Sequence, residues 1–539
     1  MTLPQAPVSN ALGQVARLWL PRLLTQVCRD PSSPHFGCFD RDWWHYRIRD
    51  FPSIILQQGG YALYLASQLG EHAEQREGLR KLAAAAVRFW NTRATRRGAF
   101  EEYYPWEQGY PPLAFSTLAV MKLVAEGVTD AEAVRAGAAV AGRQLQCRFE
   151  SQAANQQIAG LAALAWCRKV FPELVSETRF ESLVVRSLAL QTGEGWFEEY
   201  GGPDLGYLSV TVDCLWDLFD ATGDERFLTA IDRAVACIKL FTAATPAGSI
   251  GMHNSRNTDY LVPYGLVRAA RQRPATESGE FVGRLFGGAG GPAHFFNAVD
   301  DRYVCHYIGQ SLFRAVRLLE QSPEITAAGT AGAGQTTERL MASGHFLRQS
   351  DAGEQLLVTL RKGGIFSFQA GGGRVCDFGW LVEATGRQYI SHWWSGDWQY
   401  GQDGSQLRVE GSLYEHKDIA STPGRHMVLR IASFVAGSRL IGALKKKLIF
   451  KKARSQIGFR RTVEWTGATL RVVDTFTNVP AAAKFLPAPR SSKRHVASAD
   501  SFQAEDFQPL NGFAVDRQFN PSAQGMEIVT VYAKSGERA

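Results

Sequence analysis

Between residues 53 and 320, apolar side chains recur at three- and four-residue spacing, broken by Gly, Pro and acidic turn residues. This is a helical period with few alternating runs. Within it one kind of segment returns, a polar or aromatic loop leading into a helix rich in small residues. These segments begin near Gln57, Tyr110, Asn155, Tyr207, Asn257 and Arg302, in steps of 53, 45, 52, 50 and 45 residues. Each step accommodates two helices and two loops, and the intervening helices, such as Arg76 to Thr92 and Asp224 to Phe241, are the more charged ones. The pattern predicts a repeat of about six helix hairpins. Closed into an (α/α) toroid, with the small-residue helices inside, the hairpins bury a continuous core; an open solenoid is the alternative. In either case the inner helices run in the same direction. Their N-terminal loops then converge on one rim, and polar residues some 50 positions apart become neighbours.

After Pro323 the pattern changes. A Gly/Ala/Thr-rich stretch from Thr326 to Thr337 reads as a linker. Beyond it, short alternating segments separated by Gly and Asp turns predict an antiparallel β-sandwich: 355–360, 364–369, 426–434, 448–451, 456–465 and 470–477. The expectation is a multidomain α + β chain with the toroid over 1–325, a linker over 326–340 and the sandwich over 341–539.

Composition agrees with two packed domains, at 539 residues with 45% hydrophobic and 21% charged. The eight cysteines show no C-x-x-C spacing and read as small buried hydrophobes rather than a zinc ribbon or a disulfide framework. The first thirty residues lack the pattern of a secretory signal, and no apolar run is long enough to span a bilayer, so the expected location is the cytoplasm. The formal charge of +7 is small for the length and favours an acidic sugar as readily as a phosphate backbone. The basic run Lys445, Lys446, Lys447, Lys451, Lys452 and Arg454 reads as a solvated face or edge protection rather than as a nucleic-acid or lipid site. Aromatics make up 11% of the chain and cluster at Trp43-Trp44-His45-Tyr46 and His392-Trp393-Trp394, where sugar rings could stack. Phosphate-binding Gly loops, H-E-x-x-H and the nucleophile elbow are absent, and no spacing suggests a metal or a cofactor.

Candidate chemistry sits in the rim loops, above all Asn155-Gln156-Gln157 and the stretch from Glu198 to Tyr207. Here the sequence resembles the heparinase II/III-like superfamily of polysaccharide lyases. The resemblance implies a toroid joined to a β-sandwich, an Asn opening one inner helix, and a catalytic Tyr about one repeat later. Asn155 and Tyr207, 52 residues apart, fit that arrangement. The chain departs from the pattern in carrying Gln156 and Gln157 where the family has a His after the Asn. The implied reaction is β-elimination on an acidic, uronic-acid-containing bacterial polysaccharide. Asn, Gln or Arg groups bind the C6 carboxylate and so acidify the C5 hydrogen; a base removes it and an acid protonates the departing O4. Tyr207 is the candidate acid and base, with Asn155 and Gln157 on the carboxylate. His253 is a further acid or base, Arg256 a carboxylate clamp, and Tyr260, Tyr200 and His306 additional cavity residues. Trp44 and Arg47 are expected in the groove wall, unless Arg47, Arg49 and Asp50 instead form an ion network that closes the ring.

Three rivals use the same scaffold. A glycoside hydrolase would draw on Glu102, Glu198, Glu199 and Asp204. A uronyl C5-epimerase would return a proton instead of expelling O4. A non-catalytic glycan-binding protein would use the aromatic rim alone.

Overall fold

The computed structural model describes residues 8–534 except Arg97, 244–249, 273–275, 288–298, 322–335, Ala352, 418–420, Ser438, 446–452, Ala468, Ala481, 491–511 and 523–524. Six long inner helices alternate with outer ones. The inner set is α3 (Gly59–Ala66), α5 (Tyr110–Ala125), α7 (Ala154–Val170), α9 (Leu205–Thr222), α12 (Tyr264–Gln272) and α15 (Tyr307–Glu320). The outer set is α1 (Val8–Gln26), α4 (Arg76–Thr95), α6 (Arg135–Cys147), α8 (Glu177–Leu188), α10 (Arg226–Ala243) and α13 (Thr276–Phe286). Short helices α2 (Arg41–Trp44), α11 (Ile250–His253) and α14 (Asp301–Val304) lie in the connecting loops. All eight residues of α3 are buried, whereas α8 buries four of its twelve, which separates the inner from the outer layer. Each inner helix packs on the next, and α15 packs back on α3, so the hairpins close into a ring rather than an open solenoid. The N-terminal helix α1 lies against α15 and α13 at the closure.

The predicted repeat starts agree with the inner helices except in the last two hairpins. Asn257 precedes α12 by seven residues, because 257–263 runs as irregular chain, and Arg302 lies in α14, ahead of α15.

Polar side chains on the inner helices meet near the ring's axis. Asp217 on α9 accepts from Lys122 of α5 at 2.6 Å and from Arg314 of α15 at 2.7 Å, and all three are buried. The Arg314 guanidinium also lies 3.5 Å from the centre of the Tyr264 ring. Three inner helices thus share one ion cluster.

The C-terminal part is two stacked antiparallel sheets. One is β1 (Thr337–Leu340), β2 (His345–Gln349), β3 (Gln355–Thr359), β4 (Ile365–Ala370) and β5 (Gly373–Asp377), in sequential order. The other contains β6 (Trp380–Ala384), β7 (Arg387–Ile390), β8 (Gln399–Asp403), β9 (Gln406–His416), β10 (Arg454–Thr466), β11 (Thr469–Thr477), β12 (Lys484–Pro487), β13 (Phe513–Ser522) and β14 (Gly525–Lys534). The five-stranded sheet is the middle layer, and its alternation explains why. Phe346, Leu356, Val358, Phe366 and Phe368 pack into the sandwich core, while Leu347 and Leu357, pointing the other way, join the toroid's core. Arg461, fully buried, pairs with Asp474 on the adjacent strand at 2.7 Å and, across the sandwich, with Asp377 at 2.8 Å.

Two sequence expectations fail in this region. Residues 426–434 are helical, not a strand: they lie in α16 (Pro423–Ala436), followed by α17 (Arg439–Lys445), both inserted between the paired strands β9 and β10. Pro423 at the first turn and the Thr422 hydroxyl, which accepts from the Arg425 N–H, start that helix where alternation alone suggested a strand. Of the predicted linker, 326–335 and the predicted strand 448–451 lie outside the described residues, while 337–340 is β1. Six of the eight cysteines are buried, as expected of small hydrophobes; Cys147 is exposed and Cys376 half-buried. Among the described residues no helix is long and apolar enough to cross a membrane.

Replacing Asp217 with Ala leaves two buried cations facing each other, so the variant should lose about 3–5 kcal/mol of stability. Denaturant titration followed by tryptophan fluorescence measures it; a loss below 1 kcal/mol would mean the cluster behaves like a surface ion pair.

Candidate active site

The N-terminal ends of the inner helices share one rim. Seven described non-glycine residues have left-handed φ, and five of them sit in the rim loops: Arg47, Trp106, Gln108, Tyr200 and Asn257. Each such residue costs on the order of 1–3 kcal/mol, so these loops are held by their surroundings rather than by local preference.

Asp204 does much of the holding. It caps α9, accepting from the Tyr207 N–H at 3.1 Å through one oxygen, while the other accepts from the Arg256 N–H at 3.1 Å and the Thr258 hydroxyl at 2.8 Å. The chain at 258–260 therefore crosses the first turn of α9 closely, and Gly206 permits it: a Cβ there would collide with Thr258 and the Tyr260 carbonyl. This crossing brings Tyr260 to Tyr207, ring centres 6.4 Å apart and edge-on. Tyr260 in turn shares a 2.7 Å hydrogen bond with the Tyr307 hydroxyl at the start of α15.

On the neighbouring side, the Arg256 guanidinium lies 4.9 Å from the centre of the Tyr200 ring, and its Nε has no hydrogen-bond partner among the described residues. Gln156 donates to the Tyr200 hydroxyl at 3.4 Å, and its own buried Oε1 has no partner among the described residues. Asn155 is fixed by Glu199, whose Oε1 accepts from both the backbone N–H and Nδ2 of Asn155 at 2.7 Å. Burial raises the Glu199 pKa well above the ordinary glutamate value, against the pull of the Asn155 donors. At the second hairpin, Glu102 is buried beside Glu107, and burial first, then the neighbouring charge, raises its pKa to about 8. Arg49 donates to the Glu102 carbonyl at 2.8 Å and pairs with Asp40 at 3.2 Å.

The β domain closes the other side of the loop at 252–260. Lys362, buried, donates to the carbonyls of Met252 (2.9 Å) and Asn254 and to Asn257 Oδ1 (2.6 Å). Its pKa is lowered to about 7 by burial. Arg490 pairs with Asp259. Trp394 donates to the Gly201 carbonyl at 3.2 Å and covers Gly202, where a Cβ would strike its ring.

Several sequence candidates are brought together here: Tyr207, Tyr260, Arg256, Tyr200 and Asn155 all contribute to the rim. Others are placed differently. His253 is buried in the domain seam, with its two ring nitrogens 2.7 Å from the Thr359 hydroxyl and 2.9 Å from that of Ser367, which ties it to β3 and β4 instead of the rim. Gln157 points towards α8, bonded to the Tyr110 hydroxyl, the Glu150 N–H and Ser187, while its neighbour Gln156 takes the rim position. Trp44 donates to the Gln26 carbonyl at 2.8 Å and packs on the toroid core. Arg47 is exposed. The expected ion network of Arg47, Arg49 and Asp50 does not form: Arg49 pairs with Asp40 and Asp50 with Arg430. His306 is buried, its Nδ1 has no partner among the described residues, and burial lowers its pKa to about 3, so it stays neutral. Sequence reading missed Lys362 and the seam role of Trp394; the His392-Trp393-Trp394 cluster was the only signal for the latter. No group of three metal-ligating side chains occurs among the described residues.

No family model and no curated protein matches the chain. Solved structures do. The chondroitin AC lyase of Streptomyces coelicolor A3 in complex with chondroitin sulphate is similar at 10% identity and a TM-score of 0.52, over 98% of this chain and 77% of that one. A tyrosine-to-alanine mutant of the same lyase aligns at 11% identity and a TM-score of 0.50, over 98% and 80%. This chain shares their fold. Heparinase III aligns at 10% identity over 96% and 92% of the two chains, with a TM-score of 0.42. The architecture expected from the sequence, a helical toroid followed by a β-rich domain, is the fold shared with the chondroitin AC lyase.

Two outcomes are expected of this geometry. The folded protein keeps the Glu102 proton up to about pH 8, whereas the unfolded chain releases it near the ordinary value of 4.5. Unfolding therefore releases a proton in that interval, and stability falls as pH rises through it. Glu102→Gln should flatten this slope in urea titrations between those pH values; an unchanged slope excludes Glu102 as its source. Lys362→Met strips buried carbonyls of their donor, at a cost of about 1–3 kcal/mol. Hydrogen exchange at 252–260 should accelerate while exchange in β10 and β11 stays as it was.

Proposed function

We propose that this chain is a polysaccharide lyase acting on an acidic, uronic-acid-containing polysaccharide by β-elimination. The observation that carries the reading is that the backbone N–H groups of Tyr207 and Arg256 share the Asp204 carboxylate at the first turn of α9, which brings the two residues to one part of the rim. A phenol and a guanidinium whose Nε has no partner among the described residues are the two kinds of group the reaction needs on one rim. The similar lyase was solved with chondroitin sulphate, itself an acidic polysaccharide, and the fold agrees with the reading.

In this scheme Arg256, with Gln156 and the second Nδ2 hydrogen of Asn155, binds the C6 carboxylate and draws charge from C5. Tyr207, as phenolate, takes the C5 proton. The electron pair forms the C4–C5 double bond, the C4–O4 bond breaks, and the same phenol returns its proton to O4. Glu199 holds Asn155 in place. The hydrolase reading fares less well at Asp204, both of whose oxygens accept from donors within the rim, whereas Glu199 uses only Oε1 and keeps Oε2 without a partner among the described residues.

The test is incubation with a panel of acidic polysaccharides, following ultraviolet absorbance of the unsaturated uronate. Tyr207→Phe should lower kcat by about 10²–10⁴-fold, and Arg256→Ala should raise KM and lower kcat together. Shortened chains without the absorbance would replace this reading with hydrolysis, and C5 inversion without cleavage would replace it with epimerisation.

A further inference from the structure

Helix α16 is built inside out. Its fully buried residue is a serine: Ser433 donates to the Pro105 carbonyl at 2.9 Å, and one turn earlier Arg430 pairs with Asp50, its second nitrogen 3.0 Å from the carboxylate. Residues 430 and 433 therefore face the toroid. Ile431 lies roughly 200° around the helix from Ser433, and with Met427, Val428 and Val435 it forms an outward stripe exposed by 61–80%. Phe434 is also 64% exposed, its ring 5.3 Å from that of Trp106, itself on the surface. Five of the fifteen large exposed hydrophobic side chains among the described residues fall in this single helix.

Charge is equally concentrated. Residues 423–454 contain nine Lys and Arg (Arg425, Arg430, Arg439, Lys445, Lys446, Lys447, Lys451, Lys452 and Arg454) and no Asp or Glu. The chain as a whole is +7, so the rest of it is slightly negative. The segment is also unnecessary to the sheet, since β9 and β10 pair directly in antiparallel register and a tight turn would join them.

We propose that the α16 segment is a docking surface for an anionic lipid bilayer, with the outward stripe of Met427, Val428, Ile431 and Val435 entering the interface and the exposed Arg425 and Arg439 meeting the headgroups. An aliphatic stripe gains nothing from a hydrated polyanion, whereas an apolar face together with local positive charge is what interfacial helices use. Each basic residue near an anionic surface contributes roughly 1 kcal/mol, screened by salt. This inference stands apart from the lyase reading, because it uses none of the rim's chemical groups.

Flotation with vesicles of mixed phosphatidylglycerol and phosphatidylcholine, against vesicles of phosphatidylcholine alone, tests it with the full chain. The expected result is binding to the anionic vesicles that weakens as salt is raised and falls by about tenfold or more in I431D/V435D. Both side chains are exposed, so the thermal unfolding of that variant should match the wild type, and so should its activity on soluble substrate. Equal flotation of variant and wild type, or none with anionic vesicles, overturns the proposal. So does a concentration-dependent dimer abolished by I431D/V435D without vesicle binding, which would make a second copy the occupant. Retention on an immobilised acidic polysaccharide with no flotation would likewise overturn it, in favour of the sugar.

Discussion

The position of Arg256 depends on a stretch of chain that cannot hold itself. Beyond the single turn of α11, residues 254–263 have no regular structure, and their backbone groups are satisfied from outside. Asp204 takes the Arg256 N–H, the Pro203 carbonyl accepts from the Ser255 N–H, and the Asn254 side chain bridges Leu205 N–H to the Thr258 carbonyl. From the opposite side Lys362 supplies donors to two carbonyls and an amide oxygen. Hydrogen bonds to charged groups contribute about 1.5–3 kcal/mol each, twice the neutral kind. The toroid thus provides the helix ends, and the β domain fixes the loop that crosses them.

That division explains the layering. The five-stranded sheet has apolar side chains on both faces, so it is buried between the toroid and the nine-stranded sheet. Its toroid-facing positions carry the polar groups of the seam: Thr359 and Ser367 meet His253, and His345 bonds the His253 carbonyl at 2.9 Å. Burial lowers the His345 pKa to about 4, which keeps that ring neutral and its bond independent of physiological pH. Lys362 and the Arg490–Asp259 pair bring charge into this seam, and its desolvation is offset by the oxygens they meet.

Much of this was legible in the sequence, for a physical reason. A hairpin repeat repeats its loop as well as its helix, so spacing alone put Asn155, Tyr207 and the 253–260 cluster on one rim. Spacing does not give side-chain direction. Adjacent residues on a helix diverge by about 100°, and on that account Gln156 faces Tyr200 while Gln157 turns to α8. His253 read as catalytic because the loop was right; what the sequence could not carry was the sheet packed against it. Lys362 left no trace at all, since a lysine beside a Gly-Gly turn is the ordinary composition of a surface loop.

The same limit applies to α16, where periodicity is clear but polarity is inverted. An amphipathic helix normally buries its apolar face, and by that rule Met427, Ile431 and Val435 belong in a core. Contacts with Asp50 and Pro105 reverse the rule, and both belong to the loops that precede the first two inner helices. The surface assigned to lipid and the rim that carries Tyr207 are thereby parts of one side of the molecule.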